Sequence, residues 1–404
     1  MSDAFDFERR YPALYQRVEV PPDGPAGMPA RYRDRVLVDT LHDGQAIPSE
    51  FRLDEAGRPR VDLDALWTRY VAERDWGANL VARKLAAALG LGAYYRVTVA
   101  RVLLDFNRFP GSTPWNNHDP LERLAINTPF AGALDHPQKM RLLHRVYDGI
   151  SAEVEEVLPN KLIKLAVHTY DEENANETQR PHVSLITQTA HFQAESCMRY
   201  GVFDPMYPDV LGESTCSRVL RDRISLGLER AGIRVGHNQP YLLPEGSLEV
   251  RCQVWYYFQF LRQRFELLRP ETREDPAFQW VWSMLTNTNL RLARAEALRS
   301  YLHRYRRVRA GRLAEYQAAE RAYVDVRQFQ RSTDVVRRYR QSPARPSSLT
   351  FEVRKDLVCR RDADGRPTPP GAEQEENAEQ IARTIAQAIV TWLETDRPAT
   401  SQVG

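Results

Sequence analysis

Apolar positions along the chain alternate between two periods. Short β-branched runs predict strands at DRVLVDTL (34–41), AYYRVTVARVLLDFNR (93–108), KLIKLAVH (161–168), VSLITQT (183–189) and RVGHNQPY (234–241). Between them the spacing turns helical: Leu63, Leu66, Trp67, Tyr70 and Val71 open a stretch over 62–91, and further helices are predicted over 139–158 and 217–231. Strands alternating with helices predict an α/β fold, a three-layer sandwich with a mixed, largely parallel sheet.

From about Val254 the pattern is helical alone, as in Leu298, Tyr301, Leu302, Tyr305 and Val308, until the breaker SPARPSS. Strand LTFEVRKDLV then returns, followed by a turn and a helix carrying Ala378, Ile381, Ala382, Ile385, Ile389, Trp392 and Leu393 on one face. This predicts an inserted all-helical subdomain over 254–345, interrupting an α/β domain made of 31–253 and 346–404. The Pro/Gly-rich run VPPDGPAGMPA makes residues 1–30 an extended lead-in.

A chain of 404 residues with 42% hydrophobic and 27% charged residues has enough apolar surface for a full core, which excludes a disordered chain. Its formal net charge of +2 excludes a protein that is basic all over, so nucleic acid and membrane surfaces are not expected partners. The N-terminus is too charged for a secretory leader and no run of apolar residues is long enough to span a bilayer, so a cytoplasmic location is expected. Cys197, Cys216, Cys252 and Cys359 are scattered and suggest neither a thiolate metal site nor a disulfide framework. A metal would therefore be held by histidine and carboxylate.

Two predicted strands end in histidine, at His42 and His168, and ligands of α/β folds bind where parallel strands end. A catalytic zinc takes three protein ligands and keeps one position open. Asp75, on the intervening helix or at its break, is the third candidate, with Glu73 and Glu50 as substitutes. Arg101 and the pair Asn107-Arg108 sit at a strand exit, where guanidinium groups can hold a carboxylate or a developing oxyanion; an ion pair with Asp105 is the ordinary alternative. Glu352, in LTFEVRK, has the setting of a general acid/base, and Glu249, in the similar string SLEVRCQ, competes for that role.

The ordered set HDGQAIPSEF, ERDWGANLVARKLAAALG, VARVLLDFNRFPG, LAVHTYD with RPHVSLIT, HNQPY and LTFEVRKDLVCRRDADGRP resembles the N-formylglutamate amidohydrolase family, related in architecture to zinc carboxypeptidases. The resemblance covers about residues 35–250 and 346–395. It implies one zinc held by His42, Asp75 and His168, Arg101 polarising the scissile carbonyl, Asn107 and Arg108 holding a substrate carboxylate, Glu352 as acid/base, and Arg180 and Asn238 near the substrate. Departures are Asp43 after His42, where Ser is usual, Thr169 after His168, and Leu242-Leu243-Pro244 in place of a Gly-Gly.

The implied function is hydrolysis of the amide bond of an N-acylated amino acid or a carboxylate-bearing peptide. Two other readings stand beside it: a peptidase or tailoring hydrolase whose helical insertion recognises a polypeptide, and a non-catalytic binding protein that uses its Arg-rich helices to bind nucleic acid or an acidic partner. The stretch 291–340 has fourteen Arg and five Asp/Glu, a local charge of +9, with Tyr301, Tyr305, Tyr316, Tyr323 and Tyr339 interleaved. The simplest account puts the tyrosines in a buried stripe and the arginines on a solvated face. An acidic peptide or a second subunit is the partner such a face would attract.

Overall fold

The computed structural model describes residues 7, 10–21, 27–111, 124–173, 177–196, 203–289, 291–303, 308 and 311–395; Cys197 and Tyr305 lie outside them. Among the described residues one sheet holds β1 (Tyr15–Glu19), β2 (Val36–Thr40), β3 (Ala93–Val97), β4 (Ile163–Tyr170), β5 (Val183–Ile186), β6 (Val235–His237) and β7 (Ser347–Arg354), in the order β1-β3-β2-β4-β7-β5-β6. Strands β3, β2, β4 and β7 are parallel. β1 is antiparallel to β3, β5 is antiparallel to β7, and β6 follows β5 in parallel. The sheet is mixed and the fold is α/β.

The helices that position the site are α1 (Leu63–Glu73), α2 (Ala78–Ala88), α3 (Asp148–Val157), α4 (Arg218–Arg230), α5 (Leu248–Leu268), α6 (Pro276–Leu285), α7 (Ala293–His303), α8 (Leu313–Ser332), α9 (Val335–Gln341) and α10 (Ala372–Thr395). Strand alternation divides the core in two. Val36, Val38, Ile163, Leu165, Val167, Leu349, Phe351 and Val353 share one cluster with Leu85 of α2, Ile224 of α4 and Ile385 of α10. Leu37, Leu41, Phe106 and Tyr147 belong to a second cluster with Tyr257 and Phe265 of α5, Trp282 of α6 and Tyr316 of α8. The residues between, Lys164, Ala166 and His168 on β4 and Ser348, Thr350 and Glu352 on β7, put polar groups on the sheet face that α5 covers.

Four local differences from the sequence expectation have physical causes. Tyr15–Glu19, placed by sequence in the lead-in, is an edge strand whose Tyr15 ring is buried and whose hydroxyl donates to Asp39 at 2.7 Å. The run 93–108 stops being a strand at Val97, and Leu103 and Leu104 both turn back to the Ala100 carbonyl; Val99, Val102, Leu103 and Leu104 are apolar because they are core, not because they are strand. The helix over 62–91 breaks between α1 and α2, where Gly77 takes a φ of 89°. SLEVRCQ starts α5 at Leu248, with Ser247 as N-cap, so the helical stretch begins before residue 254. No helix among the described residues is long and apolar enough to cross a membrane.

Candidate functional site

The parallel strands β2, β4 and β7 end on one edge of the sheet, and three side chains from that edge converge. His42 follows β2, His168 lies on β4, and Asp75 occupies the break between α1 and α2; one ligand atom from each lies within 4.8 Å of the others. Asp75 Oδ2 is 2.8 Å from His168 Nδ1 and 3.4 Å from His42 Nδ1, and the two imidazole rings meet edge to face at 4.7 Å. The break itself is pinned: the Asp75 amide donates to the His42 carbonyl at 3.1 Å, and the Arg74 guanidinium pairs with Asp43 at 2.5 Å while lying over the Trp76 ring. Asp43 also accepts the Asn79 amide at 3.0 Å and so fastens the start of α2.

A second layer of charge surrounds this trio. His42 Nε2 is 2.8 Å from Asp105 Oδ1, which leaves Nδ1 as the nitrogen facing Asp75. Arg101 bonds Asp105 Oδ2 through Nε at 3.1 Å and reaches Asp75 Oδ1 through Nη1 at 3.4 Å. Arg108 Nε lies 3.5 Å from the same Asp105 oxygen. Burial by itself would raise both aspartates, but the His168 and His42 ring nitrogens hold Asp75 well below the usual carboxylate range, and His42 with Arg101 does the same for Asp105. His42 is moved upward: burial and Arg101 oppose its charge, and Asp105 and Asp75 outweigh them.

Glu352 stands on β7 opposite His168 of β4. It is buried, and desolvation, aided by Asp75 and opposed by His168 and Arg101, pushes its carboxyl up to about 7. Glu249 does not share that setting. It is in the first turn of α5, wholly buried, with Lys164 Nζ 3.0 Å from Oε1, and Lys164 also contacts Asp39 at 3.0 Å. Glu50 pairs with Arg145 at 2.6 Å, and Glu73 is engaged by Arg69 at 3.1 Å and Asn127 at 3.4 Å; neither joins the histidines.

The remaining sequence candidates are spread around this centre. Asn107 Oδ1 accepts the Leu248 amide at 2.7 Å, so its oxygen serves the start of α5 and only its Nδ2 faces other tasks. Arg180 bonds the Asp171 carbonyl at 3.2 Å and lies over the Tyr170 ring, beyond the end of β4. Asn238 Oδ1 accepts the Thr187 and Gln188 amides at 2.9 and 3.1 Å and joins the loops leaving β5 and β6, two strands away from β7. Sequence alone offers Asp105 as an ion-pair partner of an arginine, and its contact with His42 is added by the fold. An acid with arginines four residues before and three after it, at a strand exit, was the available signal. A second was Lys164, a lysine inside an apolar strand, which requires a buried acid.

The residues fit a divalent ion. Two imidazoles and a carboxylate are the donor set of many catalytic zinc sites. The outer carboxylate Asp105 orients one imidazole. His168 Nε2 is buried without a hydrogen-bond partner among the described residues, which is the condition of a ring fixed through its other nitrogen.

Buried polar groups gathered where parallel strands end define an α/β protein with the architecture of an enzyme site. The family model described as N-formylglutamate amidohydrolase matches residues 34–253, just over half of the chain, and the chain belongs to that family. Its class of reaction is therefore hydrolysis of an amide bond. Among solved structures, N-formylglutamate amidohydrolase from Ralstonia eutropha is similar at 15% identity, covering 94% of this chain and 98% of its own, with a TM-score of 0.46. A gene product of Agrobacterium tumefaciens is similar at 13% identity, covering 89% and 92%, with a TM-score of 0.44. No curated protein matches the chain.

Proposed function

We propose that the chain hydrolyses the amide bond of an N-acylated amino acid that carries a free carboxylate, with one divalent ion, zinc by donor chemistry, held by His42, Asp75 and His168. The observation that supports this is the convergence of those three ligand atoms beside a buried glutamate on the adjoining strand. When bound, the ion would supply Lewis acidity, making a water more acidic and an amide carbonyl more electrophilic. Glu352, titrating near neutrality, would take the proton of the attacking water and pass it to the leaving nitrogen. Arg101 keeps Nη2 without a partner among the described residues and would face the oxygen that gains charge in the transition state. Arg108, with the Asn107 Nδ2 beside it, would receive the substrate carboxylate.

In the same reading the helices from α5 to α9 are an insertion between the two parts of a three-layer α/β domain. Four tyrosines of its arginine-rich part, Tyr301, Tyr316, Tyr323 and Tyr339, are buried, so those rings are not open to a partner. The test is elemental analysis of wild type and of a His42→Ala, His168→Ala double variant, followed by a panel of N-formyl and N-acyl amino acids and their carboxamides. One zinc per wild-type chain, lost in the variant, with turnover of acids but not of carboxamides, is the expected result. A folded wild type that takes up no divalent ion and cleaves none of the panel would overturn the proposal.

A further inference from the structure

The sheet face under α5 contains a buried polar seam, and the reaction above uses only its His168–Glu352 end. On β4 the residues facing it are Lys164, Ala166 and His168, and on β7 the partners of these three are Ser348, Thr350 and Glu352. Three polar atoms along this seam are buried and have no hydrogen-bond partner among the described residues: His168 Nε2, Thr350 Oγ1 and Glu249 Oε2. They are the kinds of group one small molecule could satisfy together. With Nδ1, the nitrogen that faces Asp75, bound to the proposed ion, His168 Nε2 carries the ring proton and donates; Glu249 only accepts; the threonine hydroxyl does either. Ala166, opposite Thr350, puts only a methyl group between Lys164 and His168 on this face of β4.

We propose that Glu249 is a positioning residue for His168, acting through one ordered water that accepts from His168 Nε2–H, donates to Glu249 Oε2 and bonds the Thr350 hydroxyl. The inference deepens the hydrolase reading and rests on His168 being a metal ligand. Two buried groups of opposite hydrogen-bonding character left unpaired would each cost stability, and an internal water with three partners removes both costs at once. Lys164 supports the arrangement from the other side: it holds Glu249 Oε1 at 3.0 Å and is itself tied to Asp39, which accepts the Tyr15 hydroxyl, so Oε2 is kept in the seam. Electrostatics agree with the placement. Burial raises Glu249, but Lys164 first and His168 second bring its carboxyl below the ordinary value. Outer partners of metal-binding histidines fix ring orientation and basicity, and losing one weakens metal binding on the order of 10- to 100-fold.

The experiment uses the full chain as wild type, Thr350→Val, Thr350→Ser and Glu249→Gln, with two readouts. A crystal structure at a resolution that shows internal solvent should reveal density within hydrogen-bonding distance of all three atoms in wild type and none in Thr350→Val. Zinc titration against a chelator should weaken at least about 10-fold in Thr350→Val and in Glu249→Gln, and return to the wild-type value in Thr350→Ser. Thr350→Val keeps the shape of the side chain and leaves the Lys164 ion pairs untouched, so it reports even where Glu249→Gln fails to fold. A dry seam in wild type, or a folded Thr350→Val that binds zinc within twofold of wild type, would overturn the proposal. Absence of zinc binding by wild type overturns the metal reading and the positioning role together, whereas a dry seam in a zinc-binding wild type overturns the positioning role alone.

Discussion

At the residue scale the proposed reaction concentrates on one carboxyl group. Glu352 is buried on the strand beside His168, and that burial, against the opposing pull of His168, raises its titration to about 7, inside the range where a group can both take and give a proton. For an acid with a raised pKa the protonated form dominates below that value, so the base needed for attack is lost as the pH falls through it. Turnover is expected to rise as pH increases toward neutrality, with an acid limb at or below pH 7, because a bound cation can only draw the titration lower. A pH profile of kcat/KM checks this. Glu352→Gln should keep zinc and lower kcat on the order of 10²- to 10⁴-fold; a smaller loss would move the proton transfer elsewhere. The sequence offers it as one of two similar strings. What separates it from Glu249 is the element each string forms and the presence of Lys164, and neither is written within the strings themselves.

At the scale of elements the site depends on interruptions. Helical spacing over 62–91 makes one long helix the natural expectation, and Asp75 acquires its place only because α1 ends at Glu73 and α2 starts after Gly77. A Cβ on Gly77 would lie 2.7 Å from Val358 Cγ2 and 2.8 Å from the Val358 carbonyl, and its φ is 89°. Gly77→Ala is therefore expected to cost about 1–3 kcal/mol of stability from backbone strain alone, and to weaken zinc binding by shifting Asp75. Urea unfolding and a zinc titration measure the two effects. The strand β4 carries a parallel case. Lys164 is 0% exposed between Asp39 and Glu249, and Lys164→Met leaves two buried acids without their cation, so a loss of roughly 3–5 kcal/mol is expected. Equilibrium unfolding of that variant decides it, since a loss under 1 kcal/mol would mean the acids are neutral in the fold. Strand positions were readable because β2, β4, β5 and β7 are apolar on at least one face. Edge strand β1 was not, because an edge needs only one buried face, and YQRVE shows little of it.

At the scale of the molecule, the helical stretch before β7 is not a separable cap. The cluster that holds Phe106 and Tyr147, next to the candidate carboxylate clamp, is continuous with Trp280, Tyr316, Tyr323, Val326 and Tyr339 of the helical block. Polar contacts lock the same surface. Asp204, on the connection between β5 and α4, accepts the Tyr323 hydroxyl at 2.9 Å and faces His303 Nε2 at 3.2 Å, while Gln330 Nε2 donates to the Met206 carbonyl at 2.6 Å and to the Tyr257 hydroxyl at 2.7 Å. Periodicity alone marks such a block as helical and different from its surroundings, but it says nothing about which apolar stripe faces which neighbour, so the depth of the docking could not be read beforehand. A block that shares its core with the sheet should unfold with it. Thermal unfolding followed by tryptophan fluorescence, which samples Trp280 and Trp282 in α6 among other sites, and by zinc release, which samples the strand edge, is expected to give one coincident transition. Asp204→Ala removes the acceptor from two helices at once and should lower both transitions together by the several degrees that about 1–3 kcal/mol represents. Two separated transitions, or a lower fluorescence transition with unchanged zinc release, would show instead that the helices form an independent unit resting on a self-sufficient α/β domain.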